Sequence, residues 1–244
     1  MSIWNSAIGA MIGFSLGGPI GALIGGVIGS RFGAKRASTT FSENQQHQAA
    51  FFAALFACLA KLAKADGKVS KEEIEAVDRF IEERFKFDSE QRRFAIEIFN
   101  RAKDDKNTYE DYASQLSSLL GRNKIALVVF YELLFELAMS DGVLHDREKE
   151  LLEKTVHIFN IDPDIFNNLR SQFSEATSNP YRVLGVTEDM ELEEIKNIYR
   201  RKRKEFHPDT LVSKGLPEEL IKKAREKFIE IQEAYGAIEK KKIQ

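Results

Sequence analysis

A single cysteine among 244 residues excludes an internal disulfide framework. Cys58 stands in an apolar run with Phe56, Ala57 and Leu59, which makes it a packing residue suited to a reducing compartment. Only four histidines occur and none are clustered, so no His-rich metalloenzyme signature is present. No nucleophile stands at a recognisable spacing from a base, and no phosphate-binding glycine loop occurs outside the uncharged N-terminal segment. These absences argue against catalysis by the chain itself. Net charge is nearly lacking too, at −2, but it is unevenly spread. Residues 1–36 carry +3, residues 37–178 hold 18 Lys and Arg against 25 Asp and Glu for a net −7, and the remainder carries +2. An acidic middle is the wrong sign for a nucleic-acid binder, and the basic residues beyond it are balanced by carboxylates. With 43% apolar residues the chain can bury a real core, which excludes disorder throughout.

Charged side chains are wholly missing from residues 3–28. At ~1.5 Å rise per residue, residues 7–28 alone reach about 33 Å as a helix, enough for the hydrocarbon core of a bilayer. A signal peptide wants basic residues before its apolar run, whereas Arg31, Lys35 and Arg36 follow this one. A hairpin turning at Gly17, Gly18 and Pro19 leaves two arms too short to span. The expectation is one transmembrane helix within residues 1–33, then a juxtamembrane linker over 34–45. The positive-inside bias places the N-terminus outside and the remaining chain in the cytoplasm. Gly9, Gly13, Gly17, Gly21, Gly25 and Gly29 recur every fourth residue, which lets a second copy approach closely, so a homodimer through the membrane helix is expected. Pro19 is expected to kink that helix at its centre.

Over residues 46–173 apolar side chains recur at three and four positions, as in Phe51, Phe52, Leu55, Leu59 and Leu62, and in Val128, Tyr131, Leu134, Phe135 and Ala138. The pattern predicts helices near residues 46–65, 70–85, 89–104, 108–120, 123–140, 146–159 and 162–173, with no competing strand alternation. An internal repeat aligns residues 65–73 with 140–148 at an offset of 75. In each copy a long apolar helix ends at Asp-Gly, an aliphatic residue packs back, and a new helix starts. Glycine suits a helix C-terminus, and Ser70 with Glu73 makes a capping box. Alternatively Asp66, Glu73, Asp141 and Glu148 converge across a pseudo-twofold and hold a divalent cation through oxygen, although their spacing is not that of an EF-hand loop. His145 and His157 stand alone on helical segments and are better taken as surface or packing residues than as ligands. Through Asp66, Gly67, Glu73, Asp141, Gly142 and Glu148 this region resembles the TerB-like family of helical domains. The resemblance implies that those acids are candidate metal ligands; no other cofactor is expected.

The last segment, 179–244, opens on Asn179, Pro180 and Tyr181 and runs through Leu184, Gly185 and Val186. A helix over about 192–206 puts Ile195, Ile198, Tyr199 and Phe206 on one side and Lys196, Arg200, Arg203 and Lys204 on the other. His207, Pro208 and Asp209 follow, and proline stops the helix because it lacks an N–H and restricts the residue before it. A return helix over about 218–241 presents Leu220, Ala224, Phe228, Ile231, Tyr235 and Ile238 toward the first. This order of pieces, ending in Gln232, Glu233, Ala234 and Tyr235, resembles the J-domain of the DnaJ family. Thr210 stands where that family usually has lysine, and Lys202 where it usually has a core leucine, so a snorkelling stem must replace one contact. No Cys-x-x-Cys pairs and no Gly/Phe-rich segment occur, so the client-binding parts of full-length DnaJ are absent.

The whole chain is similar to the membrane-anchored J-domain co-chaperones that place a TerB-like middle between anchor and J-domain. The resemblance implies an all-α protein of the bacterial inner membrane that is not an enzyme. It implies that His207, Pro208, Asp209, Lys196, Arg200, Arg203 and Lys204 engage a DnaK-type chaperone and stimulate its ATPase. A metal-binding protein of stress or metal resistance, resting on the four acids of the middle, is the alternative.

Overall fold

The computed structural model describes residues 17–32, 43–65, 67, 69, 71–85, 87–121, 123–139, 142–174, 179–207, 209 and 217–243. The elements among them are all helices: α1 (Gly18–Phe32), α2 (Glu43–Ala63), α3 (Lys71–Arg84), α4 (Ser89–Asp104), α5 (Tyr109–Leu120), α6 (Lys124–Ala138), α7 (Asp146–Phe159), α8 (Ile165–Ser174), α9 (Pro180–Leu184), α10 (Leu192–Glu205) and α11 (Glu218–Ile243).

Two helices organise the middle. Every residue of α2 from 49 to 60 and every residue of α6 from 125 to 135 is buried, as befits helices that are apolar all round. The amphipathic helices α4, α5 and α7 wrap α2. On α4, for instance, Phe94, Ala95, Ile98, Phe99 and Ala102 form the buried stripe. Phe52 meets Phe51, Phe85 and Phe87 edge to face, and Phe130 bridges Phe51 and Phe159 in the same way. Cys58 is fully buried, and burial pushes its thiol far up, so it is inert.

Side chains start these helices. Asp88 accepts the N–H groups of Glu90 and Gln91 while Gln91 accepts that of Asp88, and Thr108 and Asp111 cap α5 reciprocally. The two copies of the repeat turn alike. Gly67 N–H bonds Lys64 O and Gly142 N–H bonds Met139 O, each at 2.9 Å, with both glycines at positive φ. Val69 and Leu144 then pack back against the core.

Between α4 and α5, Asp105 takes a 2.8 Å ion pair from Lys61 and hydrogen bonds from Tyr112 and Asn107. Burial pushes its carboxyl up, but these donors outweigh burial and hold it below the ordinary carboxylate range. A depressed folded-state pKa contributes stability above the unfolded value and loses it as pH falls through the folded value. Asp105→Asn is therefore expected to lower stability at neutral pH, with the gap to the wild type closing as pH drops below about 4. Urea unfolding at several pH values measures this, and a gap that does not change with pH contradicts it.

Among the described residues no helix is long and apolar enough to cross a membrane. The described part of the apolar segment, α1, lies against α2, α4 and α5 and buries Ile20, Leu23, Ile24 and Val27. Gln115 fixes its start, accepting from Ile20 N–H at 2.7 Å and donating to Gly17 O at 2.8 Å. Gly17 and Gly18 both have φ +58°, so the chain enters α1 through a turn. Pro19 then stands in the first helical turn, where its missing donor is harmless, rather than at a mid-helix kink.

The C-terminal module packs α9 and α10 against α11. Its core is Tyr181, Leu184, Ile195, Leu220, Ala224, Ile231 and Ile238, with the Tyr199 and Tyr235 rings stacked at 4.2 Å. Asn179 caps α9 by accepting Tyr181 N–H at 3.0 Å, and Gly185 ends it at φ +62°. Helix α11 also lies along α6, joining the module to the middle.

Candidate functional site

Helices α10 and α11 run antiparallel because their apolar stripes face each other, and this pairing sets the corner at the end of α10. Phe206, buried, closes α10 with its N–H on Lys202 O at 2.8 Å, and the next residue leaves the helix. His207 stacks edge-on against Phe228 of α11, ring centroids 5.4 Å apart at 79°. That ring contact fixes one side of the imidazole. Nδ1 lies 3.5 Å from Asp209 Oδ2 and 3.4 Å from Asp209 N. The side chains of His207 and Asp209 are 48% and 84% exposed. Pro208 and Thr210 lie outside the described residues.

Along the same helix Arg200, Arg203 and Lys204 are exposed and Lys196 is half-buried. None of the four has a carboxylate within ion-pair distance among the described residues, so the stripe's charge is left to act outward. A rigidly backed imidazole, a carboxylate and a stripe of cations suit recognition of an acidic protein surface bearing a buried-contact arginine.

Of the other residues marked in the sequence, several lie outside the described residues. Asp66, Asp141 and the side chain of Glu73 are not among the described residues, and Glu148 serves α7, its Oε2 accepting His145 N–H at 3.1 Å. Among the described residues no group of three or more His, Cys, Asp or Glu is placed to hold a metal ion. His145 and His157 are exposed. Gly9 and Gly13 are likewise outside, Gly17 precedes α1, and Gly21, Gly25 and Gly29 lie within it. Off that line, a Cβ added to Gly26 would sit 3.0 Å from Arg101 Nη1 and one added to Gly18 2.8 Å from the Gln115 amide.

Sequence reasoning marked Lys202 of α10 as a misfit in a core position but missed the inward-facing lysines of α11. Lys202 is half-buried, and burial lowers its pKa although Asp162 opposes the shift. Lys223 and Lys227 pair with Glu136 and Glu132 of α6. A signal was available in the spacing: two acids one turn apart on an otherwise apolar helix, and two lysines one turn apart on α11.

Three family models match the chain: Co-chaperone DjlA transmembrane domain over residues 1–39, Tellurite resistance protein TerB over 52–171, and DnaJ domain over 179–243. Among curated proteins the chain is 33% identical over 228 residues to Co-chaperone protein DjlA of Photobacterium profundum, covering 84% of this chain and 82% of that one. It is 32% identical to the protein of the same name from Aliivibrio fischeri, over 81% and 80% of the two chains. The Coxiella burnetii protein is also 32% identical, over 82% and 80%. No solved structure matches.

Proposed function

Since this chain belongs to the DjlA family of co-chaperones, we propose that it stimulates ATP hydrolysis by a DnaK-type chaperone through its J-domain. The observation that carries the reading is the exposed His207 and Asp209 corner, backed by Phe228 and standing beside four cations that no carboxylate pairs with among the described residues. The stripe of Lys196, Arg200, Arg203 and Lys204 steers the acidic partner over distances of a Debye length, and the corner makes the short-range contact. Asp209 accepts from a partner arginine, and Pro208 stiffens the loop that displays it. The chemistry is the partner's.

The protein is membrane-anchored, as the match over residues 1–39 indicates. We place the N-terminus outside and the J-domain in the cytoplasm, on the strength of Arg31, Lys35 and Arg36 following the apolar run. Pairing of two copies through the glycine line of that segment belongs to the same reading.

The full chain in lipid nanodiscs, titrated into a DnaK under single-turnover conditions, is expected to raise ATP hydrolysis at least about tenfold, ~1.4 kcal/mol of barrier. The half-saturating concentration should rise with salt, as steering requires. A hydrolysis rate unmoved by saturating chain sinks the reading.

A further inference from the structure

The J-domain is cationic on two sides, and only one of them faces outward. On the other, Lys227 Nζ lies 3.0 Å from Glu132 Oε1 of α6 and 3.1 Å from Glu230 Oε2, and Lys223 pairs with Glu136. These side chains are largely out of solvent: 15% and 7% exposed for Lys227 and Glu132, 16% and 18% for Lys223 and Glu136. Lys202 of α10 turns the same way. A Cβ added to Gly185 would meet its Nζ at 3.4 Å and Asp162 Oδ2, from the middle domain, at 3.8 Å.

Apolar side chains from both sides meet along part of this seam, but clefts interrupt it. One cleft of about 460 Å³ opens between Glu132, Glu136 and Leu169 on one side and Lys223 and Lys227 on the other. A second, of about 450 Å³, runs past Val128, Asp162 and Lys202. Interfaces between domains move relative to each other unless they are large and apolar, so buried ion pairs that cross this one add to what orders it. Burial makes the charges count: a half-desolvated pair is screened far less by salt than a surface pair. Burial alone would lower the Lys227 pKa, yet Glu132 and Glu230 hold it above the ordinary value, so the lysine stays charged in place.

We propose that Lys223 and Lys227 latch the J-domain onto the acidic face of α6, so that the two domains move as one body with the His207 corner turned outward. The face of α6 that carries Glu132 and Glu136 is thus an interaction surface fitted to a helix with lysines one turn apart, and its occupant is α11 of the same chain. The latch also abuts the corner, because Phe228, which backs His207, is the residue after Lys227.

The test is a charge-reversal cycle in the full chain. Only residues 172–178 separate the two family matches, and Glu175 among them is a cleavage site for a glutamate-specific protease. Lys223→Glu with Lys227→Glu is expected to speed cleavage after Glu175 about tenfold, the loss of ~1.4 kcal/mol from a half-buried pair set. Adding Glu132→Lys and Glu136→Lys to the same chain is expected to bring the rate back to within about twofold of wild type. A wild type cut as fast as the reversed chain, or a four-site variant cut as fast as the two-site one, overturns the latch. Alkylation of buried Cys58 reports whether the middle domain of the two-site variant has unfolded, and near-ultraviolet circular dichroism of the stacked Tyr199 and Tyr235 reports the J-domain. If either has unfolded, Lys223→Gln with Lys227→Gln replaces that variant, and unchanged cleavage there overturns the latch equally. No chaperone enters the assay, so its outcome is independent of the co-chaperone reading.

Discussion

His207→Gln is expected to leave the J-domain folded and to return DnaK hydrolysis to its unstimulated rate. The folded-state loss is small by inspection. The imidazole is about half exposed and meets the edge-on ring of Phe228. An aromatic pair of this kind is worth about 0.5–1.5 kcal/mol, against the roughly 5–15 kcal/mol that keeps a domain folded. Glutamine keeps a polar head but has neither a ring to stack on Phe228 nor the imidazole's geometry toward Asp209, whose Oδ2 lies 3.5 Å from Nδ1. The corner therefore loses its fixed display while Ile195, Leu220 and Ile231 still pack. Thermal unfolding of wild type and variant should differ by only a few degrees, with stimulation reduced at least about tenfold even at saturating chain. Full stimulation by the variant contradicts the proposed role. Lost stimulation together with a collapsed melting transition would move the effect from function to stability.

The contrast with the latch shows what the sequence could and could not say. Helix periods were legible because each stripe reports its own buried face: the helix expected over 146–159 is found at Asp146–Phe159, and that over 123–140 at Lys124–Ala138. The ends drifted by a few residues, as at α2, expected from 46 and found from Glu43. The paired helices of the J-domain, with Leu220, Ala224 and Ile238 inward, were legible for the same reason. What a stripe does not report is its partner. The apolar face of α1 reads equally well as lipid-facing or as bundle-facing, and the Gln115 side chain that receives its start lies 95 positions away from Ile20. Lys202 was legible as a misfit in a core position, but its destination was not. The side chain is half-buried and ends beside Gly185, within the field of Asp162 of another domain. The loop's histidine and aspartate were legible as a motif, whereas the ring that backs the histidine emerges only when α11 is laid along α10.

Reversing the stripe, with Arg200→Glu, Arg203→Glu and Lys204→Glu in one chain, should act on association rather than on the chemical step. All three side chains are exposed and lack carboxylate partners within ion-pair distance among the described residues, so no pair inside the protein is broken. Two of them, Arg203 and Lys204, stand in the last turn of α10, where cations complement the helix dipole. Reversal there costs about 0.3–1 kcal/mol each, too little to unfold the module. The field outside changes much more. Six charge units move from attraction to repulsion along one helix face, and steering of this kind alters association rates by roughly 10- to 1000-fold at low salt. The association rate with DnaK is accordingly expected to fall about 100-fold at low ionic strength, and its salt dependence to flatten or invert. Stimulation at saturating concentration, which depends on the His207 corner, should recover most of its wild-type value. Stopped-flow association across a salt series separates the two quantities. An unchanged rate would mean that the partner approaches from another side, and the inward lysines of the latch would then be the first place to look.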